Sequence, residues 1–379
     1  MATVFHNGRI LVGEGFREDL AVLVEGEHIT AVTWATDAAL AGLPRHDLGG
    51  AMLVPGFIDT QVNGGGGVLF NDAPTEAGAR RIAQAHRAFG TTALLPTLIS
   101  DRREVMARAI DGVQAAIDAG AAGVLGIHLE GPWLAAERRG VHDARHFHAP
   151  DADDLALATR LRGGPTLVTL APERVAPEAI AGLAAAGVIV AAGHTAASFE
   201  QVQAALAAGL RGFTHLYNAM PPLHSREPGP LGAALLDEAS WCGLIVDGHH
   251  LHPASLRLAL RAKPRSRLFL VTDAMSTVGT TLERFTLGEE EVFVRNGRVE
   301  TATGTLAGSA LDMASAVRNT VAQAGIPLAD ALLMASTWPA DFLGLPTHGR
   351  IAPGARADLV CMDENVRIRR VWVGGREVD

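Results

Sequence analysis

Eight apolar runs of strand length, separated by alanine-rich stretches with helical spacing, constrain the fold of this chain more than any other feature. Alternating strands and helices are typical of βα units around a parallel sheet. Eight such units predict an α/β fold, a (β/α)8 TIM-like barrel, with a doubly wound open sheet as the alternative. The runs are Phe57–Asn63, Ala93–Leu98, Val124–Glu130, Leu167–Glu173, Val188–Thr195, Gly212–Asn218, Cys242–Gly248 and Leu268–Ala274. Helices are predicted near Glu76–Phe89, Arg103–Ala119, Pro177–Ala186, Ser198–Ala208 and Pro253–Arg261.

The two ends of the chain have a different pattern, with short β-branched runs broken by turn signals at Thr3–Val12, Leu20–Val32, Asp358–Met362 and Arg367–Val373. We expect them to pair into a small β-sandwich domain, with residues 1–53 as its first part and residues 348–379 as its second. Residues 54–347 are then the barrel. An Asn296-Gly297 turn predicts a hairpin inserted in the barrel near residues 286–300.

Composition excludes several classes of function. The formal charge of −9 disfavours nucleic acid and anionic membrane surfaces as partners. No apolar run approaches eighteen residues, and the first twenty residues lack the pattern of a signal peptide, so we expect a cytoplasmic protein. The two cysteines, Cys242 and Cys361, lie within apolar runs without metal-binding spacing. Lys263 is the single lysine and precedes the eighth run, which argues against Schiff-base chemistry and a lysine-bridged pair of metal ions.

Carboxylate and imidazole side chains lie at the carboxyl ends of several apolar runs. In a barrel, the carboxyl ends of the strands meet at one face. Glu130, His194 and His215 each lie at such an end. One carboxylate and two imidazoles are typical of a mononuclear divalent metal site with a position left for water. The alternative is that each is an ordinary core residue with satisfied hydrogen bonds. Two imidazoles favour zinc, with iron, cobalt and manganese as other candidates.

The first and eighth strand ends carry the remaining candidates for chemistry. Asp273 closes the eighth run, where a carboxylate can take a proton from an attacking water and pass it to a leaving group. A structural carboxylate that holds a loop is the alternative. Many metal-dependent barrels carry His-x-His at the first strand, whereas this chain has Gln61 and Asn63, which are poor zinc ligands. We therefore expect one metal ion rather than two.

Three further residues suggest recognition of an anion. Arg226 follows the sixth run, His250 the seventh and His142 the third. Arginine binds phosphate through two parallel hydrogen bonds, and an acidic protein needs such local positive charge to hold an anion. A surface salt bridge for the arginine and solvated loop positions for the histidines are the alternatives.

Seven motifs occur in one order and extend over most of the chain. They are VPGFIDTQVNGGGG (54–67), GIHLEGPWL (126–134), AGHTAAS (192–198), THLYNAMPPLHSREPG (214–229), DGHHLH (247–252), VTDAMS (271–276) and GTLAGSALDM (304–313). With these motifs and GRIAPGARADLV at 349–360, the chain resembles the N-acetylglucosamine-6-phosphate deacetylases of the amidohydrolase superfamily. The HLEGP and THLYNAMPP motifs are specific, whereas PGFID and the last segment are shared across the superfamily.

The resemblance implies an enzyme, a hydrolase of linear amide C–N bonds that releases acetate from N-acetyl-D-glucosamine 6-phosphate in amino-sugar catabolism. It implies one divalent metal per subunit on Glu130, His194 and His215, with Asp273 and His142 as catalytic residues. A homodimer is expected, whose neighbouring subunit supplies part of the phosphate site. The implied substrate-binding residues are Gln61, Asn63, Val141, His142, Asn218, Ala219, Arg226, His250, Leu306, Ala307 and Gly308.

Two departures from the family pattern keep alternatives open. Met275-Ser276 and His249 replace residues more usual in the family, and both positions are expected near the sugar. The alternatives are a deacetylase of N-acetylgalactosamine 6-phosphate, another mononuclear amidohydrolase, and a barrel that binds a small molecule without catalysis.

Overall fold

The computed structural model describes residues 2–378, and its N-terminal segment is a series of short strands. The exposed–buried–exposed order of His28, Ile29 and Thr30 is typical of a strand with one face against a core. The strands are β1 (Ala2–His6), β2 (Arg9–Val12), β3 (Gly15–Arg17), β4 (Leu20–Glu25), β5 (His28–Trp34), β6 (Arg45–Asp47) and β7 (Met52–Pro55).

Parallel strands buried on both faces follow, as the uninterrupted apolar runs predict. They form an eight-stranded parallel sheet in the order β17-β16-β15-β14-β13-β12-β11-β8, while β9 and β10 make a two-residue hairpin apart from it. The strands are β8 (Phe57–Val62), β9 (Gly64–Gly65), β10 (Val68–Leu69), β11 (Thr91–Ile99), β12 (Ile127–Glu130), β13 (Thr166–Leu170), β14 (Ile189–Ala192), β15 (Gly212–Phe213), β16 (Trp241–Leu244) and β17 (Leu268–Leu270).

The first and last strands of this sheet meet and close it into a barrel. Val62, at the end of β8, bridges Ala274 in a parallel sense, and the Asp273 amide donates to the Gln61 carbonyl at 2.9 Å. Below this seam the buried Asp59 accepts a hydrogen bond of 2.5 Å from the Thr272 hydroxyl. The predicted (β/α)8 barrel is therefore confirmed, and the open sheet is excluded.

Ten α-helices lie in the described chain, and all five predicted helices are among them. A side chain caps the first turn in five of these helices. Ser198, for example, caps α5 by accepting from the Gln201 amide while the Gln201 side chain accepts from the Ser198 amide. The helices are α1 (Glu76–Arg87), α2 (Arg103–Asp118), α3 (Ala152–Ala158), α4 (Pro177–Ala185), α5 (Phe199–Ala207), α6 (Gly229–Leu236), α7 (Pro253–Ala262), α8 (Met313–Ala324), α9 (Leu328–Ala335) and α10 (Thr337–Leu343). Within residues 2–378 we find no helix with the length and apolarity to cross a bilayer.

A three-stranded antiparallel sheet is inserted between β17 and α8. It comprises β18 (Arg284–Leu287), β19 (Glu290–Arg295) and β20 (Arg298–Thr301), so the hairpin expected near 286–300 lies within it. Asn296 and Gly297 both have positive φ, as a two-residue type I′ turn requires. Val292 and Val299 pack with Met275 and Ala307, which fixes this inserted sheet against the loops at the barrel mouth.

The C-terminal strands join those of the N-terminus. Strands β21 (Leu359–Met362), β22 (Ile368–Val373) and β23 (Arg376–Val378) extend a six-stranded sheet in the order β23-β22-β21-β7-β2-β3, beside a four-stranded sheet in the order β5-β4-β1-β6. One buried cluster, which includes Phe5, Val22, Ile29, Leu53 and Trp372, holds side chains from both sheets. The small β-sandwich built from the two chain ends is confirmed, while the exact domain boundaries at residues 54 and 347 stay a prediction.

Candidate active site

A cavity of about 510 Å³ opens at the carboxyl ends of the barrel strands. It is lined by the residues that follow several of these strands and by one edge of the inserted sheet. This is the face where loop residues from successive βα units converge in a barrel. The polar side chains predicted at the strand ends therefore share one cavity that is open to solvent.

Glu130, His194 and His215 converge at the base of this cavity, all buried. Glu130 Oε1 lies 3.2 Å from His194 Nε2 and 3.0 Å from His215 Nε2, and the two imidazole nitrogens are 3.0 Å apart. Ligand atoms on a tetrahedral zinc ion, at bonds of about 2.0–2.1 Å, are separated by about 3.3 Å. Three donor atoms at nearly that spacing fit a divalent ion.

A backbone contact orients the His194 imidazole toward this point. His194 Nδ1 lies 2.8 Å from the Arg138 carbonyl, to which it can only donate, so its Nε2 carries the lone pair that a metal needs. His194 and His215 both have positive φ, an unusual backbone conformation for a residue with a side chain. Such strain collects at functional sites because the surrounding structure holds it in place.

The charges in the cluster favour a cation. Burial raises the pKa of the Glu130 carboxyl, but the close contacts with the two imidazoles outweigh this effect and hold that pKa well below its ordinary value. An ionised carboxylate facing two imidazole nitrogens is the donor set of a mononuclear metal site. The residues present therefore fit a divalent ion, as the sequence predicts.

Asp273 lies beside the cluster, at the end of the eighth strand. Its Oδ1 accepts hydrogen bonds from Asn63 Nδ2 at 2.6 Å and from Gln61 Nε2 at 3.2 Å. Burial, together with the negative charge of Glu130, raises the pKa of Asp273 to about 6. A carboxylate with a pKa in this range can both take and return a proton near neutral pH.

Gln61 and Asn63 connect the carboxylates of the site. Gln61 Nε2 lies 3.2 Å from both oxygens of Glu130 as well as from Asp273, so this amide bridges the two acids. Gln61 does not line the cavity. Asn63 does, and its buried Oδ1 has no hydrogen-bond partner among the described residues. An acceptor left without a partner in a cavity wall is suited to a donor on a bound molecule.

His142 lies against His194, with ring centroids 4.4 Å apart. Its Nδ1 accepts from the Ser100 amide at 3.3 Å and lies 2.8 Å from the Ser100 hydroxyl. Burial and the neighbouring His194 lower the pKa of His142 to about 3, so the ring is neutral. Because Nδ1 accepts, the proton is on Nε2, and His142 is a hydrogen-bond donor in this site.

His250 forms another wall of the cavity. Its Nδ1 lies 2.7 Å from Asp247 Oδ2, and the Asp247 carboxylate also accepts from the amides of His249 and His250. This pairing leaves the opposite edge of the ring for a bound molecule. Asp247 therefore orients His250 in the way that a carboxylate orients a metal-bound or catalytic histidine.

The structure brings most of the predicted substrate residues together. Those that line the cavity with the three metal-binding candidates and Asp273 are Asn63, Val141, His142, Asn218, Ala219, His250, Leu306 and Gly308. Gln61, Ala307 and Arg226 do not line it. Gln61 lies beneath the carboxylates, Ala307 is turned into the packing between the inserted sheet and the barrel, and Arg226 is exposed on the loop before α6.

Sequence reasoning missed two arginines that line the cavity. Arg138 follows β12, and Arg298 is the first residue of β20. The Asn296-Gly297 turn signal predicts the hairpin that carries Arg298. Nothing in the local sequence shows that this hairpin folds back over the barrel mouth, because that depends on the packing of Val292 and Val299.

The chain matches known proteins over most of its length. The model of the amidohydrolase family matches residues 52–378. An N-acetylgalactosamine-6-phosphate deacetylase of Shewanella sp. (strain ANA-3) is 47% identical over 335 residues, which is 88% of this chain and 85% of that protein. The N-acetylglucosamine-6-phosphate deacetylase of Bos taurus is 37% identical over 99% of this chain and 95% of its own length.

Solved structures show the same relationship. An N-acetylglucosamine-6-phosphate deacetylase from Pasteurella multocida has a TM-score of 0.96 and 32% identity, with both chains fully covered. That of Mycobacterium smegmatis, an aspartate-to-alanine variant in complex with N-acetyl-D-glucosamine 6-phosphate, has a TM-score of 0.90 and 36% identity, covering 100% of this chain and 98% of that one. The resemblance drawn from the motifs is confirmed, and the chain belongs to the amidohydrolase family.

Proposed function

We propose that this protein hydrolyses the acetamide of N-acetyl-D-glucosamine 6-phosphate to D-glucosamine 6-phosphate and acetate. The observation that carries this proposal is the convergence of Glu130, His194 and His215, with Asp273 beside them, at the mouth of a barrel. Relatives with that activity in their names align with nearly the whole chain.

One divalent ion per chain, which we propose to be zinc, would be held by Glu130, His194 and His215. When bound there, such an ion polarises an amide carbonyl and acidifies water. Two imidazoles favour zinc over the harder ions, which prefer oxygen ligands.

Asp273 is the general base and then the general acid. Its carboxylate removes a proton from the attacking water as the water adds to the amide carbon, and it returns the proton to the departing amine nitrogen. Asn63 and Gln61 hold Oδ1 of Asp273, which leaves Oδ2 for the proton. The products are acetate and the free amine, and no covalent bond to the protein is needed.

His142 stabilises the charge that develops on the amide oxygen. Its neutral ring keeps the proton on Nε2 because Ser100 donates to Nδ1. A preorganised donor of this kind stabilises a tetrahedral intermediate more than the planar amide. Ser100 is therefore the residue that keeps His142 in the useful tautomer.

A homodimer is the assembly we propose, with the phosphate end of the site shared between subunits. The position of Arg226 supports the dimer, because this residue is exposed and lies outside the cavity of its own chain. An exposed arginine on a loop at the barrel mouth can reach a neighbouring subunit. The cytoplasmic location stays a prediction.

N-acetyl-D-galactosamine 6-phosphate is a second candidate substrate, favoured by the Shewanella relative at 47% identity. Acetate release from the two epimers by zinc-loaded protein separates the candidates through the ratio of their kcat/KM values. We expect turnover of the glucosamine epimer, and its loss in the matched variants Glu130→Gln and His215→Ala. Turnover of the galactosamine epimer alone would select the second candidate, and turnover of neither would contradict the proposal.

A further inference from the structure

The inserted sheet carries an asparagine followed by a glycine at an exposed turn. We propose that Asn296 is a self-modification site, at which the neighbouring backbone nitrogen displaces the side-chain amide and leaves an aspartate or isoaspartate at the edge of the cavity. The reaction is separate from the hydrolysis proposed above, because it changes the chain itself. Three Asn-Gly pairs occur in the sequence, and their surroundings determine which of them reacts.

The reaction needs only water, hydroxide and a backbone amide. After hydroxide removes its proton, the Gly297 nitrogen attacks Cγ of Asn296, a C–N bond closes a succinimide ring, and the Cγ–Nδ2 bond breaks. The leaving nitrogen takes a proton from water, which releases ammonia and regenerates hydroxide. Water then opens the ring, giving aspartate by cleavage at Cγ or isoaspartate by cleavage at the main-chain carbonyl carbon. Glycine favours the attack because it has no side chain to shield its nitrogen.

The Asn296-Gly297 pair is free to react. Both residues are exposed at the turn between β19 and β20. Among residues 2–378, neither the Asn296 side chain nor the Gly297 N–H has a hydrogen-bond partner, so neither reacting group is held away from the other. Arg295 and Arg298 close the turn as directly opposed like charges, which weakens this end of the hairpin. Opening of the turn therefore costs little free energy.

The Asn7-Gly8 pair also lies in a turn with positive φ at the asparagine, but it is held in place. Asn7 Nδ2 donates to Asp47 Oδ1 at 2.7 Å, which restrains the amide that would have to leave. Gly8 is buried, and a Cβ there would lie 2.5 Å from the Ala51 carbonyl oxygen, so the backbone has little room to rotate. The negative charge of Asp47 also opposes the negative charge that forms on the attacking nitrogen.

The Asn63-Gly64 pair is buried beside the active-site cavity. Asn63 Nδ2 donates to Asp273 Oδ1 at 2.6 Å. The Gly64 amide, which would supply the attacking nitrogen, donates to the Ala274 carbonyl at 2.9 Å. Because both reacting groups are buried and hydrogen-bonded, we expect this asparagine to stay intact.

Positive charge around Asn296 favours the reaction further. Arg295 is exposed, stacks over the Phe293 ring at 4.7 Å and has no carboxylate partner among residues 2–378. Its charge stabilises the anion that forms at the Gly297 nitrogen and the carboxylate of the product. Arg298, on the other side of the turn, lines the cavity. The new carboxylate therefore arises at the edge of the cavity mouth.

Peptide mass spectrometry of protein incubated in mildly alkaline buffer tests the site. Cleavage after glutamate releases Val292–Glu300, which contains Asn296, and separate peptides that contain Asn7 and Asn63. We expect the exchange of the side-chain NH2 for OH to be at least about tenfold faster at Asn296 than at Asn7, because a hydrogen bond to a charged group must first break at Asn7. Isoaspartate and aspartate peptides, which have the same mass and elute separately, should both appear.

Two variants and one change of solvent serve as controls. Asn296→Gly removes the side-chain amide and keeps a residue suited to a type I′ turn, so its peptide should not change in mass during incubation. Arg295→Gln should slow the reaction at Asn296 about two- to fivefold, because the nearby positive charge is lost. In concentrated urea the three Asn-Gly pairs should react at similar rates, because the folded surroundings that distinguish them are gone.

Equal rates at Asn296 and Asn7 in the folded protein would overturn the proposal, as would an intact Asn296 in protein whose Asn7 has reacted. A tenfold preference for Asn296 that persists in urea would assign the effect to the local sequence and would overturn its structural basis. An unchanged rate in Arg295→Gln would refute the part given to charge.

Discussion

Replacing Asp273 by Asn tests the assignment of the general base with little disturbance of the surrounding structure. The Oδ1 acceptor for Asn63 and Gln61 is kept, because asparagine also has a carbonyl oxygen. What is lost is the atom that takes the proton. General acid–base help is worth about 10²- to 10⁴-fold in rate, so we expect kcat to fall by that factor while metal content is unchanged.

The same substitution should stabilise the protein. Burial raises the pKa of Asp273 from 3.8 to about 6, and at about 1.4 kcal/mol per pKa unit the ionised carboxylate costs up to about 3 kcal/mol. Because the pKa in the folded state is the higher one, this cost is absent below about pH 4 and complete above the folded-state pKa near 6. A neutral asparagine at this position removes that free-energy cost.

Two assays test the expected loss of turnover and the expected gain in stability. Acetate release gives kcat, and denaturant unfolding of chelator-treated protein at pH 8 and pH 4 gives the free energy of unfolding. Asp72→Asn is the control, since Asp72 does not line the active-site cavity and should leave kcat unchanged. Near-normal turnover of Asp273→Asn would remove Asp273 from the mechanism, and a lower stability at pH 8 than that of the unmodified protein would refute the electrostatic argument.

Three further outcomes are expected. Turnover should rise with pH through an apparent pKa near 6, because Asp273 acts when ionised, and an acid limb that persists in Asp273→Asn would assign it to another group. Ser100→Ala should lower kcat by about tenfold or less, since the Ser100 amide still donates to His142, and an unchanged kcat would contradict the tautomer argument. Gly308→Ala should lower the free energy of unfolding by more than about 1 kcal/mol, because φ at this position is +63° and the new Cβ would lie 2.6 Å from Met275 Sδ. An unchanged midpoint in thermal unfolding would show that the loop adapts.

The barrel could be predicted from the sequence because parallel strands buried on both faces leave continuous apolar runs. All eight runs contain observed strands, and Glu130, His194 and His215 follow them at the expected ends. The first strand of the inserted sheet, β18, was not predicted, because its residues, Arg284–Leu287, are exposed or half-buried. A short surface strand leaves little apolar pattern to read.

The parts of the site that depend on contacts between distant residues could not be predicted. Gln61 stays a predicted substrate residue, and its side chain bridges Glu130 and Asp273, an arrangement set by three separate strands. Arg226 has the chemistry for phosphate and lies outside the cavity, whereas Arg298 lines it through the packing of an inserted sheet. Residue type indicates what a side chain can bind, and only tertiary packing determines where it is placed.

Anomalous diffraction from crystals grown with zinc tests the central claim most directly. The account predicts one strong peak per chain, about 2.0–2.2 Å from a Glu130 oxygen, His194 Nε2 and His215 Nε2. A data set without a peak between these three side chains, or with the ion bound elsewhere in the chain, would contradict it.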